Sequence, residues 1–226
     1  MRLGRRDRRG EPGDVAFHRG KIFPAQGTCA DIGHAVVVVT VALGARQIIK
    51  LGDVGAGVAR LAATKLLALF GPRAYVGPFA TIGLREIPDP DLIAPDWVVL
   101  RTRLCGLCGS DYKQVFLNGR MDNPMTALIS FPQVLGHEVV ARIERVGPGV
   151  KSRRVGERVV LNPWLSCVPR GLPPCEWCRQ GELAQCLNFE RGTLTKGIHH
   201  GNSSQATGGM APLVPAHESQ CIPIPD

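Results

Sequence analysis

Two groups of side chains in this chain could hold a metal ion. Cys108, with Ser110 and Asp111 close behind it, and His137 and Glu138 further along, supply a thiolate, an imidazole and a carboxylate. Cys167, Cys175, Cys178 and Cys186 supply four thiolates within twenty residues. These are the ligand types that zinc takes, and they fall into two separable sets. Four thiolates close a tetrahedral shell and leave no position for water, so the later group reads as a structural site that folds a loop. The mixed group, with fewer protein ligands, reads as a site with an open position.

The later group carries the stronger spacing. Cys175-Glu-Trp-Cys178 can deliver two sulfurs to one ion through a tight turn. Disulfides and free thiols are the competing readings of the same residues. Eight cysteines in 226 residues are sparse for a disulfide scaffold, and the opening residues do not read as a secretory signal. For the earlier group the plain alternative is two buried thiols, Cys105 and Cys108, with a surface imidazole at His137. Ser110-Asp111 read alone would be a turn or a helix cap.

The elements that must position these residues favour the metal reading. Val98 to Leu104 alternates as a half-buried strand would and delivers Cys105-Gly-Leu-Cys108-Gly-Ser-Asp111 at its end. Gly136-His137-Glu138 runs directly into Val139 to Val146, a second strand closed by Gly147-Pro148-Gly149. Further strands are expected over Lys65 to Phe70, Ala80 to Glu86 and Arg158 to Leu161, with prolines and glycines between them. The pattern is that of a mainly β barrel or sandwich.

Cys105-Gly-Leu-Cys-Gly-Ser-Asp111, Val134-Leu-Gly-His-Glu138, Val146-Gly-Pro-Gly-Val150, Val155-Gly-Glu-Arg-Val159 and the cysteine lobe resemble, in order, the catalytic domain of the zinc-dependent medium-chain alcohol dehydrogenases. The resemblance runs from about Leu66 to Asp226. It implies a partly open GroES-like (chaperonin-10-type) barrel with a zinc-binding lobe. It also implies Cys108 and His137 as catalytic zinc ligands, with Glu138 beside them, and Cys167, Cys175, Cys178 and Cys186 as structural zinc ligands. Ser110 would take the substrate proton and Asp111 would orient the histidine, while Cys105 would be a small buried apolar residue. The implied chemistry is alcohol/carbonyl interconversion on a small molecule, with NAD or NADP as the hydride carrier in the full-length family enzyme.

The sequence departs from that family in three places. The first interval of the cysteine lobe is stretched to seven residues by Val168-Pro-Arg-Gly-Leu-Pro-Pro174, which puts Cys167 alone in question. The nucleotide-binding Rossmann domain that follows in the family is not found before Asp226, so the chain is expected to be a fragment, inactive alone. Gly55-Ala-Gly57-Val-Ala-Arg60 is a poor substitute, with arginine where close approach wants glycine or alanine. Third, residues 1–62 have no counterpart. They read as an irregular basic extension, with 63–226 as the domain.

That extension holds ten basic and five acidic residues, and so carries most of the net charge of +8. Its clustered arginines, glycines and prolines favour a solvated arm. A non-enzymatic zinc-binding domain whose arm contacts nucleic acid is therefore the alternative reading, although no aromatic residues interleave the charges and nucleic acid is disfavoured as a partner. Ala35 to Leu43 is far short of the roughly 20 residues that span a bilayer, so no membrane partner is expected. The chain is read as cytoplasmic, and a homo-oligomer is left open.

Overall fold

The computed structural model describes residues 38–39, 48–51, 62–76, 80, 82–85, 87–116 and 127–225. The described chain is mainly sheet. Its nine strands are β1 (Val38–Val39), β2 (Ile48–Leu51), β3 (Ile82–Arg85), β4 (Trp97–Gly106), β5 (Gln133–Val134), β6 (Glu138–Val146), β7 (Arg158–Leu161), β8 (Leu213–His217) and β9 (Cys221–Pro223). The larger sheet has the order β1-β4-β6-β7-β9 with β8 also on β4, and the smaller has the order β3-β2-β5. Three short α-helices accompany them among the described residues: α1 (residues 62–68), α2 (Gly109–Val115) and α3 (Glu176–Arg179).

Four of the expected strands are present as β3, β4, β6 and β7. The fifth, over Lys65 to Phe70, is not a strand, because residues 62–68 are helical. The stretch Lys65-Leu-Leu-Ala-Leu is made of strong helix formers and contains no β-branched residue, so propensity favours the helix once period alone fails to decide. Leu66, Leu69 and Phe70 are exposed there.

β4 also departs from simple alternation. Trp97, Val98, Val99 and Leu100 are all buried, since the strand has apolar neighbours on both faces. Val98 and Leu100 join the main core with Val139, Ala141 and Ile143 of β6 and Val159 and Leu161 of β7. Trp97 joins a second cluster with Leu165, Leu194 and Ala206. β6, covered on one face, does alternate, burying Val139, Ala141 and Ile143 in turn.

Two strands fall within the segment read as an extension. Val38 and Val39 pair with Gly106 and Cys105 at the end of β4, and β2 pairs with both β3 and β5. The Gly55 to Arg60 turn and residues 1–37 lie outside the described residues. No helix among the described residues is long and apolar enough to cross a membrane.

The placement of the site follows from one pairing. β4 and β6 run antiparallel, with Cys105 opposite Val139 and Gly106 opposite Glu138. The end of one strand and the start of the other are thereby side by side. A bulge that leaves Arg103 out of register precedes this last stretch, letting Cys105 turn back into the core.

Candidate metal centres

At the β4/β6 junction the ligand atoms of Cys108, His137 and Glu138 all lie within 4.8 Å of one another. Cys108 precedes α2 as its cap residue, and His137 and Glu138 stand at the entry to β6. Gly106 is needed for the approach, because a Cβ there would run into the Glu138 carboxylate. Gly136 is needed for the turn. Its φ is +94°, and a Cβ would meet the Cys105 Sγ at 2.5 Å.

Asp111 holds the two ends together. Its Oδ2 accepts from the Cys108 amide at 3.0 Å, half of a capping box, and its Oδ1 accepts from the Gly136 amide at 3.3 Å. The same Oδ1 lies 3.8 Å from His137 Nδ1, too long for a hydrogen bond. Burial is the largest influence on this carboxyl and raises its pKa, opposed by the two amides and by His137. Burial likewise pushes the Cys105 thiol up to about 12, so it stays protonated and behaves as an apolar core residue.

Two buried polar atoms here have no hydrogen-bond partner, Ser110 Oγ and His137 Nδ1. Buried orphans are rare in folded proteins, and beside a cluster of ligating groups such atoms suit the binding of a ligand. The donor set, one thiolate, one imidazole and one carboxylate, suits zinc with a position left open.

The second cluster is closed. The sulfurs of Cys167, Cys175, Cys178 and Cys186 all lie within 4.8 Å of one another, with Cys167 and Cys186 at 3.6 Å. Cys175 caps α3 and Cys178 sits within it, which turns both sulfurs to one side. Amides support the sulfurs. The Cys175 N–H donates to Cys167 Sγ at 3.3 Å, the Asn188 N–H to Cys186 Sγ at 3.3 Å and the Asn188 side-chain amide to Cys167 Sγ at 3.2 Å. Backbone N–H donors, that of Leu187 foremost, bring the Cys175 thiol down to about 6, whereas burial pushes Cys186 up to about 12. Four sulfurs at this separation fit a divalent cation, which would stabilise all four as thiolates. Cys167 is fully buried within the group, so the stretched interval before Cys175 does not keep it away.

His199 was not singled out from the sequence. Its ring packs against that of His137 with centroids 4.3 Å apart and planes inclined by 36°, and Trp164 meets it edge-on at 6.1 Å. His199 Nδ1 lies 2.6 Å from the His200 carbonyl and its Nε2 3.3 Å from the Asn202 side-chain amide. Burial brings its imidazole down to about 4, so it is neutral at physiological pH. The amide of Asn202 continues to Gln114 on α2, and Gln114 to Gln133 on β5, giving one polar chain from His199 to β5. Two histidines between glycines, Gly197-Ile-His-His-Gly201, were the available signal. They lacked the fixed offset from Cys108 that a motif needs.

Residues 94–226 match the family model described as alcohol dehydrogenase GroES-like domain. The (R,R)-butanediol dehydrogenase of Saccharomyces cerevisiae is 27% identical over 155 residues, covering 62% of this chain and 38% of that protein. The sorbitol dehydrogenase of Bacillus subtilis is 34% identical over 109 residues, covering 48% of this chain and 28% of that protein. Among solved structures, that of an NAD-dependent alcohol dehydrogenase superposes with a TM-score of 0.52 at 21% identity, covering 79% of this chain and 39% of the other, a likeness of fold. The chain thus spans well under half the length of the relatives it matches.

Proposed function

The chain belongs to the zinc-type medium-chain alcohol dehydrogenases, and from that premise we propose that it carries the metal-binding, substrate-polarising part of an NAD(P)-dependent alcohol/carbonyl oxidoreductase. Its two sheets are then the partly open GroES-like barrel of such enzymes, and the tetrathiolate cluster is their structural lobe. Small alcohols, polyols and the matching carbonyl compounds are the proposed substrate class, consistent with the names of the sorbitol and butanediol dehydrogenases.

The supporting observation is the convergence of Cys108, His137 and Glu138 at the β4/β6 junction, beside a buried and unpartnered Ser110 hydroxyl. Zinc held by these three residues would supply Lewis acidity toward an alcohol or carbonyl oxygen, and a nicotinamide would exchange the hydride. The chain's own part is then positional and protonic. Asp111 fixes Cys108 and Gly136 to one carboxyl, so the ligands are presented at a set separation. Ser110 Oγ is the group on this chain that would receive the alcohol proton and return it in the reverse direction. Glu138 is the most exposed of the three ligands, and its carboxylate is the one free to move as substrate enters.

Cobalt(II) substitution tests this reading. A mixed thiolate, imidazole and carboxylate site with an open position gives a visible spectrum that changes when imidazole is added, whereas a tetrathiolate site does not respond. The expected result is two sets of bands, of which only the weaker-thiolate set shifts with imidazole and vanishes in Cys108→Ser. A spectrum of tetrathiolate bands alone, insensitive to imidazole, would remove the basis for an active centre in this chain.

A further inference from the structure

Arg170 lies in the seven-residue interval that separates this lobe from the family spacing, and it is fully buried. Among the described residues no carboxylate pairs with it. Its guanidinium is instead shared among five backbone carbonyls. Nε donates to Leu165 O at 2.7 Å, Nη1 to Arg191 O at 3.0 Å and Leu194 O at 3.2 Å, and Nη2 to Thr195 O at 3.2 Å and Gly197 O at 2.7 Å. All five N–H directions of the fork are thereby used. The backbone of Arg170 engages the same loop, its carbonyl accepting from the Thr193 amide at 3.1 Å and from the Thr193 hydroxyl at 3.3 Å.

A buried cation without a counter-charge is costly, and dipoles alone rarely compensate it. The lobe adjoins this residue through the backbone, since the Arg170 amide donates to the Cys167 carbonyl at 3.1 Å. Burial lowers the Arg170 pKa to about 10, while Cys186 and Cys167 act in the opposite sense, favouring the charged form. Four thiolates around one divalent cation retain net negative charge, so a guanidinium beside them is attracted whenever the lobe is loaded.

We propose that Arg170 is a positioning residue that neutralises the loaded tetrathiolate lobe and clamps residues 191–197, thereby linking the lobe's metal to the loop that carries His199 onto His137. The stretched interval is then a built device, since it carries the residue whose guanidinium gathers the five carbonyls. The chain of contacts is short: the Cys167 carbonyl, which accepts from the Arg170 amide, the Arg170 guanidinium, the 191–197 carbonyls, then His199 two residues on, packed against His137 with ring centroids 4.3 Å apart. The inference rests on the proposal that the lobe binds a divalent metal.

The test uses the full 226-residue chain in a Cys108→Ser background, so that the lobe is the remaining metal site. Zinc affinity is measured by competition with a chromophoric chelator, and amide hydrogen exchange is followed over residues 191–199. Arg170→Met is expected to weaken zinc binding at least tenfold, and Arg170→Lys to recover part of that loss through its charge. In both variants the 191–197 amides exchange at least tenfold faster, since neither side chain can serve five carbonyls, while β4 and β6 amides are unchanged. Should Arg170→Met fail to fold, the parent protein still decides: stripping its zinc must speed exchange across 191–197 ahead of β4 and β6. Native zinc affinity in Arg170→Met, a lysine variant no better than methionine, or full protection of 191–197 after zinc removal would overturn the proposal. A parent protein that loads no ion in the lobe would instead refute the metal reading itself.

Discussion

Replacing Gly136 by alanine tests whether the candidate active centre is held by a backbone that only glycine can adopt. Gly136 stands at φ +94°, next to His137, and its amide is one of the two that Asp111 holds. A non-glycine residue in such a conformation costs about 1–3 kcal/mol. The new Cβ would also meet Cys105 Sγ at 2.5 Å and the Met210 backbone nitrogen at 3.0 Å, inside a core where Cys105 has no room to retreat. Overpacking of this kind costs a further ~1–3 kcal/mol. The expected loss is therefore about 2–6 kcal/mol, a large share of the ~5–15 kcal/mol that stabilises a typical domain. With a urea slope of about 2 kcal/mol per molar, the unfolding midpoint should fall by about 1–3 M. Gly106→Ala is the internal contrast, because there the added Cβ meets the flexible Glu138 side chain. That residue can swing away, so the midpoint should move little while metal affinity at the mixed site falls at least tenfold, in line with lost support of a ligand. Urea melts of both variants, each with bound metal measured, are the assay. A Gly136→Ala protein within about 0.5 kcal/mol of the parent, with its metal retained, would refute the argument that glycine is required there.

His199 gives a pH signature, since its folded pKa of about 4 lies below the ordinary value of 6.5. The unfolded chain takes up a proton that the folded chain refuses, so this contribution to stability is complete above pH 6.5 and is lost as pH falls from 6.5 toward 4, by up to about 3 kcal/mol. His199→Gln should flatten the acid limb of stability against pH relative to the parent, and superimposable limbs would contradict the burial argument. Deleting residues 1–62 should shift the thermal transition little, because the main apolar core packs β4, β6, β7 and β8 on one another. Loss of folded protein on that deletion would show that the β1 and β2 pairings to β4, β3 and β5 are needed.

The sequence made the site legible because its residues sit at strand ends and keep fixed offsets. Cys108 follows β4 by two residues and His137 precedes β6 by one, so the two motifs that carry the family resemblance stand at strand ends that the β4/β6 pairing sets side by side. The Cys175/Cys178 knuckle was legible for the same local reason. Contacts set by chain folding at long range were not. His199 reaches His137 through a loop without regular structure, and nothing in its neighbours marks that approach. Arg170 reads as one more basic residue until its five carbonyl partners are placed around it. The helix at 62–68 was missed because a short apolar run carries no decisive period, and the continuous burial of Trp97 to Leu100 because the second cluster covering β4 is built from residues as remote as Leu194 and Ala206.

On the function proposed above, this chain binds two metal ions in two chemically different sites. Zinc per chain, counted by native mass spectrometry on the parent, Cys108→Ser and Cys178→Ser proteins, tests it directly. The expected counts are two ions in the parent and one in each variant, with the ion lost from a different site in each. A parent holding a single ion that Cys108→Ser leaves in place would contradict the account, since the β4/β6 junction would then be a cluster of ligating side chains and no metal centre.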